Sequence, residues 1–161
     1  FEARIGSDDS IILYDKQDKS LWDDELIRQG NYFLNQAAQG NEVSTYHLEA
    51  GIAGWHCEKE DSVEKWQQIL NLYNQLLHIN YSPGAALNRI YALYKVAGAE
   101  AAIPAAEQLA LTNTHFYFVL LGELYQHVDK AKAKQHLLQA QTMAKTKSEK
   151  DIIQQKIAAL D

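Results

Sequence analysis

Cysteine occurs once, at Cys57, so no disulfide can form within the chain, and the expectation is a reducing, cytoplasmic setting. Proline occurs only at Pro83 and Pro104, and the eight glycines are scattered singly. That spacing excludes a phosphate-cradling glycine loop and a low-complexity or collagen-like chain. The longest uninterrupted apolar run, Phe116 to Leu121, is far too short to cross a bilayer. No charged-then-apolar leader opens the chain, so nothing marks it for secretion. It opens on Phe1 rather than Met, which leads us to expect a fragment of something longer. What remains is 161 residues of ordinary apolar content, enough for one domain with a sizeable core.

Charge is uneven. Residues 1–61 carry 5 basic and 13 acidic side chains, net −8; residues 62–161 carry 10 basic and 8 acidic, net +2. Phosphate binding scales with cationic contacts and an acidic chain is repelled by a polyanion, so direct nucleic-acid binding by this segment is disfavoured. The basic cluster Lys130, Lys132 and Lys134 reads as the solvated side of a helix.

The start of the chain places Gly6-Ser7-Asp8-Asp9-Ser10, turn chemistry, between Glu2-Ala3-Arg4-Ile5 and Ile11-Ile12-Leu13-Tyr14. This predicts a short β-hairpin and loop over 1–19. From residue 20 to 161 the pattern is helical. Ser20 with Asp23 forms the spacing of a capping box, and Asp23, Asp24 and Glu25 lie where a helix dipole favours negative charge. Trp22, Leu26, Ile27, Phe33, Leu34 and Ala37 follow at helical spacing up to Gly40. Ser44 opens a second helix with Leu48, Ile52 and Trp55 on one side and Tyr46, Ala50, Ala53 and Cys57 on another; two apolar faces predict a buried helix. Asp61 with Glu64 and Ser82 with Pro83 open the third and fourth, the latter carrying Leu87, Ile90, Tyr94 and Ala97. A fifth runs from about Ala99 to Leu109, with Pro104 expected to shorten or kink it. Asn113 opens a sixth with Tyr117, Leu121, Leu124 and Val128 inward; Asp129 a seventh; Ser148 with Asp151 the last.

Eight helices with short connections predict an all-α array of antiparallel pairs. The last complete pair matches a tetratricopeptide unit: Leu121-Gly122 and Tyr125 on its first helix, then Ala133, Leu137 and Ala140 at the small-large-small positions of its second. Small residues there let two helices approach, and the large one fills the gap. Ala102, Ala106 and Leu109 repeat the spacing more loosely. The predicted fold is therefore a TPR-like array of about eight antiparallel helices with a short N-terminal β-hairpin.

Chemistry-bearing motifs are scarce. There is no H-E-x-x-H, C-x-x-C or G-x-S-x-G. His56 and Cys57 are adjacent on a helix and diverge by about 100°, so they do not share a metal easily. The acids Asp15, Asp18, Asp23 and Asp24 sit where capping and solvation account for them, although they could supply an acid–base pair. We expect no catalytic residues, cofactor or metal. Stacked helical hairpins leave one face open to other proteins, and Trp22, beside a charged loop, is a candidate for it; Trp55, Trp66 and Tyr73 fall on core stripes.

Several stretches together resemble one family, the C-terminal domain appended to a subgroup of extracytoplasmic function (ECF) type RNA polymerase sigma factors. They are Lys16-Gln17-Asp18-Lys19-Ser20-Leu21-Trp22-Asp23, then Leu26-Ile27-Arg28-Gln29-Gly30; Tyr46, Leu48, Ala50, Ile52, Ala53 and His56; Trp66 ahead of Leu72-Tyr73-Asn74-Gln75-Leu76-Leu77; and Ser82-Pro83-Gly84-Ala85-Ala86-Leu87-Asn88-Arg89. The order is the family's, from Ala3 to the last helix. Lys16 and Lys19 depart from it, standing where the family has Asp and Arg, so a bidentate guanidinium pairing is lost.

The resemblance implies promoter-binding domains upstream of this chain and a regulatory role for the helical domain in transcription initiation. Its partners would be its own sigma domains, core polymerase or another regulator, with promoter DNA reached only through the upstream domains. It singles out Asp18, Ser20, Trp22, Asp23, His56, Asn88 and Arg89 as interaction or structural-signature residues. For Asn88 and Arg89, a polar pair in an otherwise apolar helix, a hydrogen-bonded tie to another helix or to the hairpin stands beside ligand contact. Two other readings remain open: a free-standing TPR-like adaptor, and a small helical hydrolase using Asp18 and Asp23.

Overall fold

A computed structural model describes residues 3–6, 11–37, 39 and 43–160, with the side chain of Asp15 also left out. Among these residues the chain is all-α: α1 (Asp24–Ala37), α2 (Thr45–His56), α3 (Val63–Ile79), α4 (Pro83–Ala97), α5 (Ala99–Leu109), α6 (His115–Tyr125), α7 (Lys130–Met143) and α8 (Lys147–Ala158). Two 3-10 turns, Tyr14–Lys16 and Lys19–Leu21, precede them. No helix among the described residues is long and apolar enough to cross a membrane. The chain divides into two compact units, Phe1–Glu60 and Asp61–Asp161.

The expected β-hairpin does not form a strand pair among the described residues. Ile5 and Ile11 make one isolated antiparallel bridge, and the Ile12 amide donates to the Arg4 carbonyl at 2.9 Å. Its turn, residues 7–10, lies outside the described residues. Beyond it the chain goes straight into 3-10 turns rather than a second strand.

In the first unit, α1 begins at Asp24 and not at Ser20, because Asp23 is the residue whose carboxylate caps it: Oδ1 accepts from the Glu25 and Leu26 amides, both at 3.0 Å. The expected Ser20–Asp23 box is absent, Ser20 being inside a 3-10 turn. α1 ends at Ala37; the expected stop at Gly40 lies outside the described residues. Ser44 does cap α2, with His47 closing the box through Nδ1, and His47 Nε2 lies 3.1 Å from the Ala37 carbonyl. That contact brings the end of α1 to the start of α2, so the two helices run antiparallel. Gly54 lets them approach: a Cβ there would lie 3.3 Å from Leu34 Cδ2. α2 is not buried all round. Leu48 and Ile52 are, but Tyr46, Ala50, Ala53 and Trp55 are exposed, so its second apolar face and Trp55 do not belong to the core.

In the second unit each helix packs on the next in chain order from α3 to α8, and α4 also touches α6. Ser62, not Asp61, caps α3; Thr146 with Glu149, not Ser148 with Asp151, boxes α8; Thr114 rather than Asn113 precedes α6. Ser82 caps α4 with Pro83 at its first turn, as read from the sequence. α5 runs through Pro104 to Leu109, so the proline does not cut it short. The core spans Leu87, Ile90, Ala102, Ala106, Leu121, Leu124, Ala133, Leu137, Ala140, Ile153 and Ile157, while Val128 is exposed instead of inward.

The tightest approach is between α6 and α7. Gly122 is buried, and a Cβ added to it would meet Leu137 Cγ at 2.6 Å. Ala133 and Ala140 flank Leu137 with no exposed surface. At the end of α6 the Tyr125 hydroxyl donates to Glu107 Oε1 at 2.7 Å, and accepting this bond from the phenol, with burial and the Glu107 charge, pushes the Tyr125 pKa up to about 12.

α5 stops at Ala110, a non-glycine residue held in the left-handed region at φ 48°, ψ 36°. L-residues meet their own following carbonyl there, at a cost of about 1–2 kcal/mol. Ala110→Gly is therefore expected to raise the unfolding free energy by up to about 1 kcal/mol, read from urea melts; an unchanged midpoint would mean that the cap is unstrained.

Candidate functional site

The signature residues fall in two places, one in each unit. In the first unit Asp18 organises its own turn: its Oδ1 accepts from the Ser20 amide at 2.9 Å and the Ser20 hydroxyl at 2.7 Å. These bonds, the hydroxyl's first, hold its carboxyl below the ordinary value. The turn sets Lys19 between two rings, its Nζ 5.9 Å from the centre of Tyr14 and 5.8 Å from that of Trp22, while the rings lie 5.9 Å apart. Lys19 Nζ also donates to the Lys59 carbonyl at 2.5 Å, and the Tyr14 hydroxyl donates to the His56 carbonyl at 2.7 Å. Lys59 in turn pairs with Asp24 at 2.6 Å.

Asp18, Ser20, Trp22 and His56 thus meet in one clamp that ties the segment before α1 to the end of α2, while Asp23 stands apart as the cap of α1. The lysine at position 19 fills the place with its ammonium, set against one carbonyl acceptor and two rings, where a fork-shaped guanidinium pairing would need a facing carboxylate. Trp22→Ala removes one wall of this cradle. A lower melting temperature is expected, with a loss on the order of 1 kcal/mol beyond packing, and Lys19→Met in the same background should add little. Additive losses would show that Lys19 and Trp22 act separately.

In the second unit, Arg89 Nε donates to Asn74 Oδ1 at 2.6 Å, tying α4 to α3. Asn88, its neighbour, turns the other way, is exposed, and lines an open groove of about 390 Å³. The groove runs over α4, α6 and α8, alternate helices of the array. Leu87, Val119 and Leu120 supply apolar lining, Tyr91 and Phe116 aromatic walls, and the ion pair Lys156–Glu123, at 2.6 Å, closes one end. α5 packs on both α4 and α6, α7 packs on both α6 and α8, and α4 also touches α6 directly. Sequence reasoning singled out Asn88 here but not Tyr91, Phe116, Glu123 or Lys156, which come together only through the stacking.

The groove can bind but carries little to react with. Its charged pair is mutually neutralised, and Asn88 offers both a donor and an acceptor. Among the described residues no group of three His, Cys, Asp or Glu side chains is placed to hold a metal ion. Cys57 is a half-buried free thiol at the end of α2.

Among curated proteins the chain is similar to the uncharacterized protein R00370 of Rhizobium meliloti (strain 1021), with 30% identity over 132 residues. The match covers 80% of this chain but 31% of the relative, so the chain spans about a third of that protein's length. No family model matches the chain. No solved structure matches it either.

Proposed function

We propose that this chain is the regulatory protein-interaction domain of an ECF-type bacterial sigma factor. It would act in the cytoplasm during transcription initiation, through protein contacts rather than DNA, and without catalysing a reaction. The finer fold in this reading is TPR-like, with α4–α5 and α6–α7 as two units. Support for that comes from the close Gly122–Leu137 approach between buried Ala133 and Ala140, and from a groove lined by alternate helices.

The observation that carries the functional reading is that groove: aromatic walls, an apolar floor and a single exposed amide form a surface suited to a segment of another protein. The ordered set of sequence motifs supplies the family, and the net −8 over residues 1–61 argues against direct DNA contact. The relative's length beyond the matched stretch agrees with a domain joined to others. Asp18 and Asp23, which a hydrolase would need, are each engaged by backbone amides, which favours the non-catalytic reading.

The test is promoter-dependent transcription in vitro, comparing the full-length factor with one that ends before this domain. Truncation is expected to change transcript yield, by loss if the domain is a required positive element and by gain if it is an inhibitor. Asn88→Ala with Phe116→Ala, both at exposed positions, should shift yield in the same direction with an unchanged melting temperature. Absence of promoter-dependent transcripts from both the full-length and the truncated factor would defeat the sigma reading and leave the free-standing adaptor.

A further inference from the structure

The face that α6 turns to α7 carries Phe118, Gly122 and Tyr125, spaced four and then three residues apart and so aligned along one side of the helix. Two turns, about 10 Å along the axis, separate the two aromatic residues, and the glycine between them has no side chain to fill the interval. His136 of α7 reaches into it. Its imidazole centre lies 6.2 Å from that of Phe118 and 5.5 Å from that of Tyr125, with ring planes tilted by only 25° and 24°. A flat ring thus stands stacked between two others, and the next residue, Leu137, is the one that seats against Gly122. The imidazole belongs to the tightest contact of the array.

Histidine is also the side chain whose ordinary charge change falls between about pH 5 and 8. Its neutral form suits a half-buried slot between rings, and the groups around it decide how well a proton is accepted there. Burial opposes the charge most, Glu107 of α5 attracts it, and the Lys132 ammonium, one turn earlier on α7, repels it. Glu107 is already engaged by the Tyr125 hydroxyl at 2.7 Å. Lys132 Nζ lies 5.1 Å from the centre of the same Tyr125 ring, so the ring that would welcome an imidazolium already holds a cation. On α6 the phenols of Tyr117 and Tyr125 are pushed up and stay neutral, Glu123 pairs with Lys156, and His115 lies 3.7 Å from Glu149. On α8, the other helix packed on α7, Glu149 accepts from the Lys145 and Thr146 amides, and Lys147, Lys150 and Asp151 are exposed. Burial and Lys132 together outweigh Glu107 and hold the imidazole below its ordinary value.

We propose that His136 is a pH-responsive pin between α6 and α7. Uncharged, it fills the slot between Phe118 and Tyr125; charged, it leaves the slot for water and loosens the two helices, so that mild acid softens this part of the array. None of these three residues lines the groove, and the device needs no assumption about transcription. A histidine lowered in the folded state contributes stability above its unfolded value of about 6.5, and the contribution is lost as pH falls through the lower folded value.

The test compares the 161-residue chain with His136→Phe, which keeps a ring in the slot but takes no proton. The parent's melting temperature is expected to fall relative to the variant's as pH drops from about 8 to about 5. The other five histidines are common to both chains, so the difference belongs to residue 136. Titration by NMR needs the parent alone, with the imidazole signal assigned through its own backbone. It should show a midpoint below about 6.5, and the nuclear Overhauser contacts from His136 to the rings of Phe118 and Tyr125 should fade below that midpoint. Lys132→Met should raise the midpoint and Glu107→Gln lower it further, opposite shifts that a ring held only by packing would not show. The proposal is overturned if the midpoint lies at or above about 6.5, if parent and variant melt with the same pH dependence, or if the ring contacts persist in acid.

Discussion

Leu137→Ala is expected to destabilise the second unit by about 2–5 kcal/mol, and Gly122→Ala, harmful alone, is expected to become helpful in that background. Leu137 is almost completely buried and lies against the backbone of Gly122, so its removal empties a space that the helices cannot readily close. A methyl at residue 122 in the parent would sit 2.6 Å from Leu137 Cγ and 2.7 Å from its Cδ2, which forces the side chain or the helix to move. Overpacking of that kind costs about 1–3 kcal/mol, against a gain of about 1 kcal/mol from replacing a mid-helix glycine. With Leu137 shortened, the clash is gone and the gain stays. Urea unfolding of the parent, both single variants and the double variant closes the cycle. A double variant less stable than Leu137→Ala alone would show that the close approach of α6 and α7 is not what excludes a side chain at 122.

Trp66→Ala is expected to cost about 3–5 kcal/mol, a large part of the roughly 5–15 kcal/mol that stabilises most domains. Trp66 is buried on α3, stacks edge-on to Tyr91 at 5.5 Å and lies under the Lys95 ammonium, 5.2 Å from its ring centre. Its indole N–H donates to Asp61, whose other oxygen accepts from Lys95 at 2.8 Å. Burial alone would push the Asp61 carboxyl up; the bonds from Lys95 and Trp66, with the charges of Lys95 and Lys65, outweigh it and hold the carboxyl below its ordinary value. A carboxyl lowered in the folded state contributes stability above its unfolded value of about 4, and the contribution is lost as pH falls through the lower folded value. Trp66→Phe keeps a ring against Tyr91 but removes the donor. It should cost on the order of 1 kcal/mol and flatten the fall in stability below about pH 4. An acid-unfolding curve with the parent's slope would remove Asp61 from that account.

The same Asp61 marks where local reading stops. Asp61 and Ser62 are both good caps, and nothing in their immediate sequence chooses between them; the indole and ammonium brought in from α3 and α4 claim the aspartate and leave the serine to cap. Asp18, Ser20 and Asp23 pose the same choice, settled when Asp18 closes its own turn. Helix number and the α6–α7 contact were legible because period and residue size determine them directly. The exposed side of α2 was not: Tyr46, Ala50 and Ala53 are apolar enough to suggest burial, and pattern does not say whether a neighbour arrives. Of the groove, the sequence marked Asn88 alone, as a polar residue out of step with its helix. Tyr91 lies off the apolar stripe read for its helix, and Glu123 and Lys156 are 33 residues apart.

Gly98 serves two helices at once. Its amide donates to the Tyr94 carbonyl at 2.9 Å, its carbonyl accepts from the Ala102 amide at 3.2 Å, and between them it turns through φ 81°, ψ 176°, a region that side chains rarely enter. One residue is therefore the whole of the joint between α4 and α5. With no slack to absorb fraying, α5 has little freedom to peel away while α4 stays folded. Amide protons on the two helices should consequently exchange with solvent as a single cooperative block, and an insertion at this joint should split that block into two with different protection.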